Sequence, residues 1–534
     1  MKIQYLVDGV YHECEISNED ILIDANITNN RYIYKIKALK DLTLLSVKDT
    51  IPYQINDKDL FFLNGYQSWT TTHEANVNFK EKGVHKFRII KDLTLRPYGD
   101  YDFYATKKDR LHSYDIFYAK GENEIFVLNN NFKNAFLIVE LNKNLNRLNF
   151  SSDVERKRLK EGEEFVVYDY ERYSSYEEGM KVFNEKYPKR NKPKIFGYTS
   201  WYNYYQKINE EIMLRDLAAL DNRFDLFQID DGYETYVGDW MDIDKKKFPN
   251  GLAPIVEKIH EKGLKAGLWL APFVAERYSR LFKTHPEWIK KDENGQMIKV
   301  GVNWSGQYAL DLDNKEVREY ITKCFKFYTD MGFDFFKLDF LYSTAYVHDG
   351  VTHAEASEDT YKFLKKILKG KIILGCGATI SSVYDNFDYL RIGPDVSLIF
   401  DDHLYMRLVH RERPSTKNTL LNTIYRSFMN DRWFSNDPDV FLLRDKNIKL
   451  SKEQRRSLIT INALFGSVLM TSDDIATYDE EKRALLDHAL HLFKDATNVS
   501  FVTREKDVHI EYEIDGERHQ FDYNFKKGVM SNER

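Results

Sequence analysis

The run Asp334-Phe-Phe-Lys-Leu-Asp-Phe340 sets two charged side chains, Lys337 and Asp339, two residues apart in a short apolar, β-forming stretch. Residues two apart on a strand share a face, so the ammonium and the carboxylate point the same way. Charge on the face of a buried strand is costly unless it is paired or put to use. A Lys–Asp pair that only fixes register is the plainer alternative. Comparable outliers recur along the chain. Gln228-Ile-Asp230-Asp231-Gly232 ends an apolar run in two carboxylates, Trp201-Tyr202 and Trp269 close two others, Gly375-Cys376-Gly377 a fourth, and Arg391 precedes Gly393-Pro394-Asp395. Singly, Asp230-Asp231 reads as a solvated turn, Asp395 as a helix N-cap and each Trp as core. Six successive strand ends, all polar or aromatic, point to one shared site.

Three chemistries could use such a site. Glycoside hydrolysis needs two carboxylates flanking an oxocarbenium-like centre. Asp339 and Asp395 are the best pair, with Asp230, Asp231, Lys337 and Arg391 gripping hydroxyls through charge-assisted bonds. A Schiff-base aldolase would use Lys337 as nucleophile, but a lysine beside Asp339 is expected to stay protonated. A metal-dependent hydrolase needs clustered histidines, and His260, His348, His353 and His403 do not fall at strand ends with useful spacing. A sugar-binding protein without catalysis stays open, although it has no need of two well-placed acids.

The elements that must hold these residues alternate. Strand-like runs cover 195–202, 224–230, 264–271, 334–340, 371–376, 389–393, 438–443 and 466–471. Helical patterns cover 209–220, 253–262, 315–331, 355–368, 416–429, 452–464 and 479–494, and Gly263 is a good C-cap for the second. This alternation predicts a (β/α)8 TIM barrel over 195–495, where chemistry sits at the C-terminal strand ends. A helix is missing between the fifth and sixth strands, which keeps a doubly wound sheet as the alternative. Residues 1–172 read as short strands of an N-terminal β-sandwich. Residues 173–194 read as a helical linker ending in a basic, proline-bracketed stretch unable to pack. Residues 496–534 read as two or three strands of a short C-terminal antiparallel β domain. The fold class is therefore multidomain, α/β plus all-β.

Net charge is −6 with acids and bases interspersed, which excludes the basic stripe of a nucleic-acid surface. The 36 Tyr and 7 Trp suit sugar stacking as well as a large core. Cys14, Cys324 and Cys376 are odd in number and far apart, arguing against a disulfide framework. The N-terminus has no apolar leader, and no run is long enough for a membrane span. The expectation is a soluble cytoplasmic protein.

In register along the chain stand Asn64-Gly-Tyr-Gln-Ser-Trp69, Gln228-Ile-Asp-Asp-Gly-Tyr233, Gly238-Asp-Trp240, Phe248-Pro-Asn-Gly-Leu252, Gly263-Leu-Lys-Ala-Gly-Leu-Trp-Leu-Ala-Pro-Phe273, Asn303-Trp-Ser-Gly306, Leu310-Asp-Leu-Asp313, Phe336-Lys-Leu-Asp339, Gly375-Cys-Gly-Ala378, Arg391-Ile-Gly-Pro-Asp395 and Asn436-Asp-Pro-Asp439. This series resembles glycoside hydrolase family 36, the bacterial α-galactosidases (melibiases). The resemblance implies a β-supersandwich, a barrel and a short β domain, and a retaining double displacement on terminal α-galactosyl groups of melibiose- or raffinose-type sugars. It implies Asp339 as nucleophile and Asp395 as acid/base. It puts Asp230 and Asp231 at O4 and O6, Lys337 at O3 and O4, and Arg391 and Cys376 near O2. Trp201, Tyr202 and Trp269 would wall the pocket, Trp69 would close it from the β domain, and Asn303 would join the binding set. No metal or cofactor is implied, and there is room for a homo-oligomer assembled through the β domains. Lys337 beside Asp339 would keep the nucleophile ionised, and a less polar setting would hold Asp395 protonated. The family's Lys-Trp-Asp is here Lys-Leu338-Asp, a change expected to touch packing more than chemistry. Thr379 replaces a common proline beside O2. N-acetylgalactosaminidase and galactosyltransferase activities of the same family are the near alternatives.

Overall fold

Short apolar runs, buried on both faces, make up the central sheet, as a parallel sheet covered by helices requires. The computed structural model describes residues 1–80, 109–346, 348–401 and 414–531. Ile195–Thr199, Leu226–Ile229, Lys265–Leu270, Phe335–Leu338, Ile372–Gly375 and Tyr389–Arg391 pair in that order, all parallel. Tyr389–Arg391 then pairs with Ser435–Asp437, and three residues further on Val440–Phe441 pairs with Val468–Thr471, which returns to Ile195–Thr199. The pairings therefore make one nine-stranded parallel sheet whose two end strands, Ser435–Asp437 and Val440–Phe441, are neighbours in sequence.

The seventh position differs from the expected 438–443. It starts earlier, at Ser435, and is broken in two at Pro438-Asp439. Proline has no N–H for a ladder, and Asp439 takes a left-handed backbone (φ 74°). Between the fifth and sixth strands the chain makes a single turn at Ser381–Val383 in place of a helix.

Capping chemistry sets the helix limits. Lys315–Met331 starts where the Asn314 side chain accepts from the Glu316 N–H, and it ends at Gly332 (φ 106°). His353–Ile367 and Lys452–Phe465 begin in capping boxes, Thr352 with Glu355 and Ser451 with Gln454. The loop after the third strand holds its own antiparallel sheet of Val274–Glu276, Gln307–Ala309 and Lys299–Gly301, which periodicity did not predict.

The N-terminal part folds as two seven-stranded sheets, whose shared core includes Ile3, Leu44, Phe117, Val139 and Phe150. Helix Tyr176–Lys186 leads into the barrel. The basic stretch behind it does pack, contrary to expectation. Arg190 donates from its backbone to the Asp431 carbonyl, the Asn191 and Lys192 N–H groups bind the Asp431 carboxylate, and Lys192 Nζ lies 2.6 Å from Asp388. The C-terminal sheet has four strands, Thr497–Thr503, Asp507–Ile514, Glu517–Asn524 and Val529–Met530, one more than the upper expectation. No helix among the described residues is long and apolar enough to cross a membrane.

Candidate active site

The C-terminal strand ends converge. Lys337, on the fourth strand, points to the second. Its Nζ lies 2.9 Å from Asp230 Oδ2, and both side chains are buried. The same oxygen accepts from Gln228 Nε2 at 2.7 Å and Thr199 Oγ1 at 3.3 Å, and Ser200 Oγ accepts from the Asp230 N–H. Asp230 Oδ1 accepts from the N–H of Asp231. Burial pulls the lysine's pKa down, but Asp230, then Cys376 and Asp339, outweigh it and leave the ammonium above its ordinary value.

Asp339 stands one residue past its strand. Its two oxygens have separate donors, Trp269 Nε1 on Oδ2 (2.9 Å) and the Phe340 N–H on Oδ1 (2.8 Å). Phe340 is held at φ 55°, a conformation uncommon for a bulky residue. Burial pushes the Asp339 carboxyl up, Lys337, Trp269 and Cys376 pull it down, and Asp395 adds repulsion. The net direction is upward. Lys337 thus favours the ionised form, as expected, without deciding the net direction. The ammonium's direct partner is Asp230, and burial is the larger influence on Asp339.

Asp395 is not in the less polar setting expected for it. Its side chain is 39% exposed, and Oδ1 accepts from Arg391 Nη2 at 2.8 Å. Arg391 is fully buried, and the same nitrogen reaches Asp439 Oδ2 at 2.5 Å and the Tyr202 hydroxyl at 3.1 Å. The Tyr202 hydroxyl also donates to Asp439. Tyr202 therefore enters the site as a hydrogen-bonding group, where a wall had been expected. Burial pushes the Cys376 thiol well up, with Asp339 adding to it and Arg391 and Lys337 opposing.

Aromatic rings gather beside Asp339. Trp269 meets Trp304 with ring centroids 6.1 Å apart, and Trp304 meets Phe340 at 5.4 Å. Trp69 comes from the β domain and packs edge-on against Phe340 at 5.2 Å. Its loop is threaded into the barrel. Ser68 N–H donates to the Ala378 carbonyl, Ile380 N–H donates to the Tyr66 carbonyl, and a short antiparallel bridge pairs Gln67 with Thr379. Arg426 Nη1 donates to the Ser68 carbonyl (2.6 Å) and Asn422 Nδ2 to the Thr70 carbonyl (2.8 Å). Thr379 uses the N–H that a proline would lack, donating to Tyr361 Oη at 3.1 Å. Leu338 is buried in the core, as its packing role requires. Trp201 is partly buried beside Tyr205, centroids 5.1 Å apart.

Some functional neighbours were not read from the sequence. Asn303 is exposed, and it is the next residue, Trp304, whose Nε1 reaches Asp231 Oδ2 at 3.1 Å. Trp304 sits at φ 53°, and that turn carries its ring inward. Gln206 Nε2 donates to both oxygens of Asp231. Buried Glu234 lies against Asp231. Burial first, then the Asp231 charge, push the Glu234 carboxyl well up, and burial also pushes the Asp231 carboxyl up. Asp439 belonged to a motif but had no assigned role. His260, His348 and His353 are each tied to a carboxylate, of Asp334, Asp313 and Asp153, and His403 lies outside the described residues. No group of three or more His, Cys, Asp or Glu among the described residues is placed to hold a metal ion.

The parallel strands thus gather acids, a lysine, an arginine and indoles at one end of the sheet. Residues 171–370 match the melibiase family model. The chain is 27% identical over 191 residues to α-galactosidase Mel36A of Lactobacillus acidophilus, covering 34% of this chain and 25% of that protein. It is 24% identical over 318 residues to the bifunctional α-galactosidase/sucrose kinase AgaSK of Mediterraneibacter gnavus, covering 53% and 33%. The matches thus span only a quarter to a third of these curated relatives. The solved structure of TtGalA, an α-galactosidase from Thermus thermophilus in complex with p-nitrophenyl α-D-galactopyranoside, superposes with a TM-score of 0.71 at 23% identity, over 96% of this chain and 97% of that one. Over residues 171–370 the chain is thus similar to the melibiase family, and its full-length structural neighbours are α-galactosidases, among them ones of glycoside hydrolase family 36.

Proposed function

We propose that this protein is a retaining exo-α-galactosidase that removes terminal α-D-galactosyl groups from small oligosaccharides. The observation that carries the reading is the pairing of Asp339, whose two oxygens are aimed by Trp269 and Phe340, with Asp395 on Arg391. In the first half-reaction an Asp339 oxygen attacks the anomeric carbon while Asp395 gives its proton to the departing glycosidic oxygen. This yields a glycosyl ester on Asp339 and a free alcohol. In the second, Asp395 takes a proton from water, the water oxygen attacks the same carbon, and Asp339 leaves as a carboxylate, so configuration is retained.

Asp230 and Asp231 take the axial O4 and O6, and Lys337 takes O3 and O4. A glucoside would leave these buried charges without the axial hydroxyl, a strong basis for discrimination. Arg391 and Cys376 lie toward O2. Trp69, Trp201, Trp269 and Trp304 wall the ring. The domain layout that goes with this reading is a sandwich over 1–172, a linker over 173–194, a (β/α)8 barrel over 195–495 and a β domain over 496–534. The unpaired state of all three cysteines supports a reducing compartment such as the cytoplasm.

The test is release of p-nitrophenol from the α-galactoside, with the α-glucoside and the α-N-acetylgalactosaminide alongside. Cleavage of the α-galactoside alone is expected. Preference for the N-acetylgalactosaminide would replace the sugar assignment and keep the mechanism. Cleavage of none would remove the reading.

A further inference from the structure

Asp395 does not stand alone on its arginine. Arg391 Nη2 has two hydrogens, and the nearest acceptors are Asp395 Oδ1 at 2.8 Å and Asp439 Oδ2 at 2.5 Å. Asp439 Oδ2 also takes the Tyr202 hydroxyl and, at 2.8 Å, the N–H of Val396, the residue after Asp395. One buried carboxylate thus fixes the guanidinium, a tyrosine and the backbone beside the exposed acid. It does so from the break in the seventh strand, where Asp439 adopts a left-handed backbone that an aspartate tolerates better than bulkier residues. Its N–H donates to Asp437 Oδ1 at 2.9 Å, which holds the turn.

Resting on the assignment of Asp395 as acid/base, we propose that Asp439 is its positioning residue: a second, buried carboxyl that shares Arg391 and so leaves the Asp395 carboxyl free to give up and regain a proton. An acid/base group must pass between neutral and charged forms in each turnover. A buried arginine with Asp395 as its sole anion would favour the charged form throughout and oppose the protonated one. With Asp439 in place, the guanidinium stays paired whichever form Asp395 is in.

The groups that face this pair are few. Arg391, Tyr202, Asp395 and Asp437 bear on Asp439; burial pushes its carboxyl up, Arg391 and Tyr202 opposing, Asp395 and Asp437 adding. Asp395 in turn is felt by Asp339, Cys376, Tyr202 and Tyr205.

The test is the pH dependence of kcat/KM for Asp439→Asn in the full chain, on p-nitrophenyl α-galactoside and on melibiose, with thermal melting as a folding control. The alkaline limb is expected to move down by about one to three pH units, the range for a carboxyl beside an unshared opposite charge. At pH 7 melibiose, whose leaving group needs the proton, should lose more than the aryl galactoside, and that excess should shrink as pH falls. Tyr202→Phe removes one donor to Asp439 and should move the limb the same way by less. It carries the test if the asparagine variant does not fold. A loss equal for both substrates at every pH, or an unmoved limb in the variant that folds, would overturn the proposal. Wild-type inactivity on both substrates would instead remove the α-galactosidase reading beneath it.

Discussion

Lys337 Nζ lies 2.9 Å from Asp230 Oδ2, across two strand positions of the parallel sheet, and Asp230 is its only ion-pair partner among the described residues. Both groups are buried, so each depends on the other. Lys337→Met is expected to leave Asp230 as an uncompensated buried charge and to cost about 3–5 kcal/mol of stability, together with most activity. Denaturant melts and kcat/KM read the two effects. A variant as stable as wild type would mean that Asp230 is satisfied by Gln228 and Thr199 alone.

Trp304→Phe keeps a ring beside Trp269 and Phe340 and removes the donor to Asp231 Oδ2. A hydrogen bond to a charged group contributes about 1.5–3 kcal/mol. A loss of about ten- to a hundredfold in kcat/KM for the galactoside is therefore expected. Unchanged kinetics would show that Gln206 suffices to hold Asp231.

Gly377 sits at φ 59°, and a Cβ placed there would come 2.9 Å from Trp69 Cζ2. Gly377→Ala should displace the indole that the β domain contributes, raising KM for the galactoside. Loss of stability is expected too, because the left-handed backbone costs a non-glycine residue about 1–2 kcal/mol. Wild-type KM in a stable variant would mean that Trp69 does not close the pocket.

Asp115 ties the domains together through the Ser381 hydroxyl, which donates to its Oδ2 at 2.5 Å, while Asn129 Nδ2 and the Leu137 N–H bind Oδ1. Burial raises its carboxyl to about 6 from an ordinary 3.8, against the pull of those three donors. A carboxyl raised by folding stabilises below its unfolded pKa, and that contribution is lost as pH climbs through the folded one. Relative to Asp115→Asn, wild type should therefore lose on the order of 3 kcal/mol between about pH 4 and 6 and no more above. Asparagine also accepts the φ of 62° found there. Urea midpoints of the two proteins across that range check it. A constant difference would contradict it.

What could be read in advance was whatever has a local cause. The helix over 315–331 has its stop in Gly332, and the barrel strands are continuous apolar runs. The Lys-x-Asp spacing could be read because two-residue periodicity is local. The partner of Lys337 was not local, since it lies 107 residues away. Trp304 was passed over for Asn303 because a motif does not reveal which neighbour a left-handed backbone turns inward. Glu234 and Asp439 gain their meaning only from what burial sets beside them. The broken seventh strand starts before its expected place because its two halves pair with different neighbours, which no local pattern records.

The central claim is that Asp339 attacks the sugar. Asp339→Gly should be inactive on p-nitrophenyl α-galactoside, and added azide should restore p-nitrophenol release with β-galactosyl azide as the product. A glycine variant that keeps full activity, or a rescued reaction that yields the α-azide, would contradict the account.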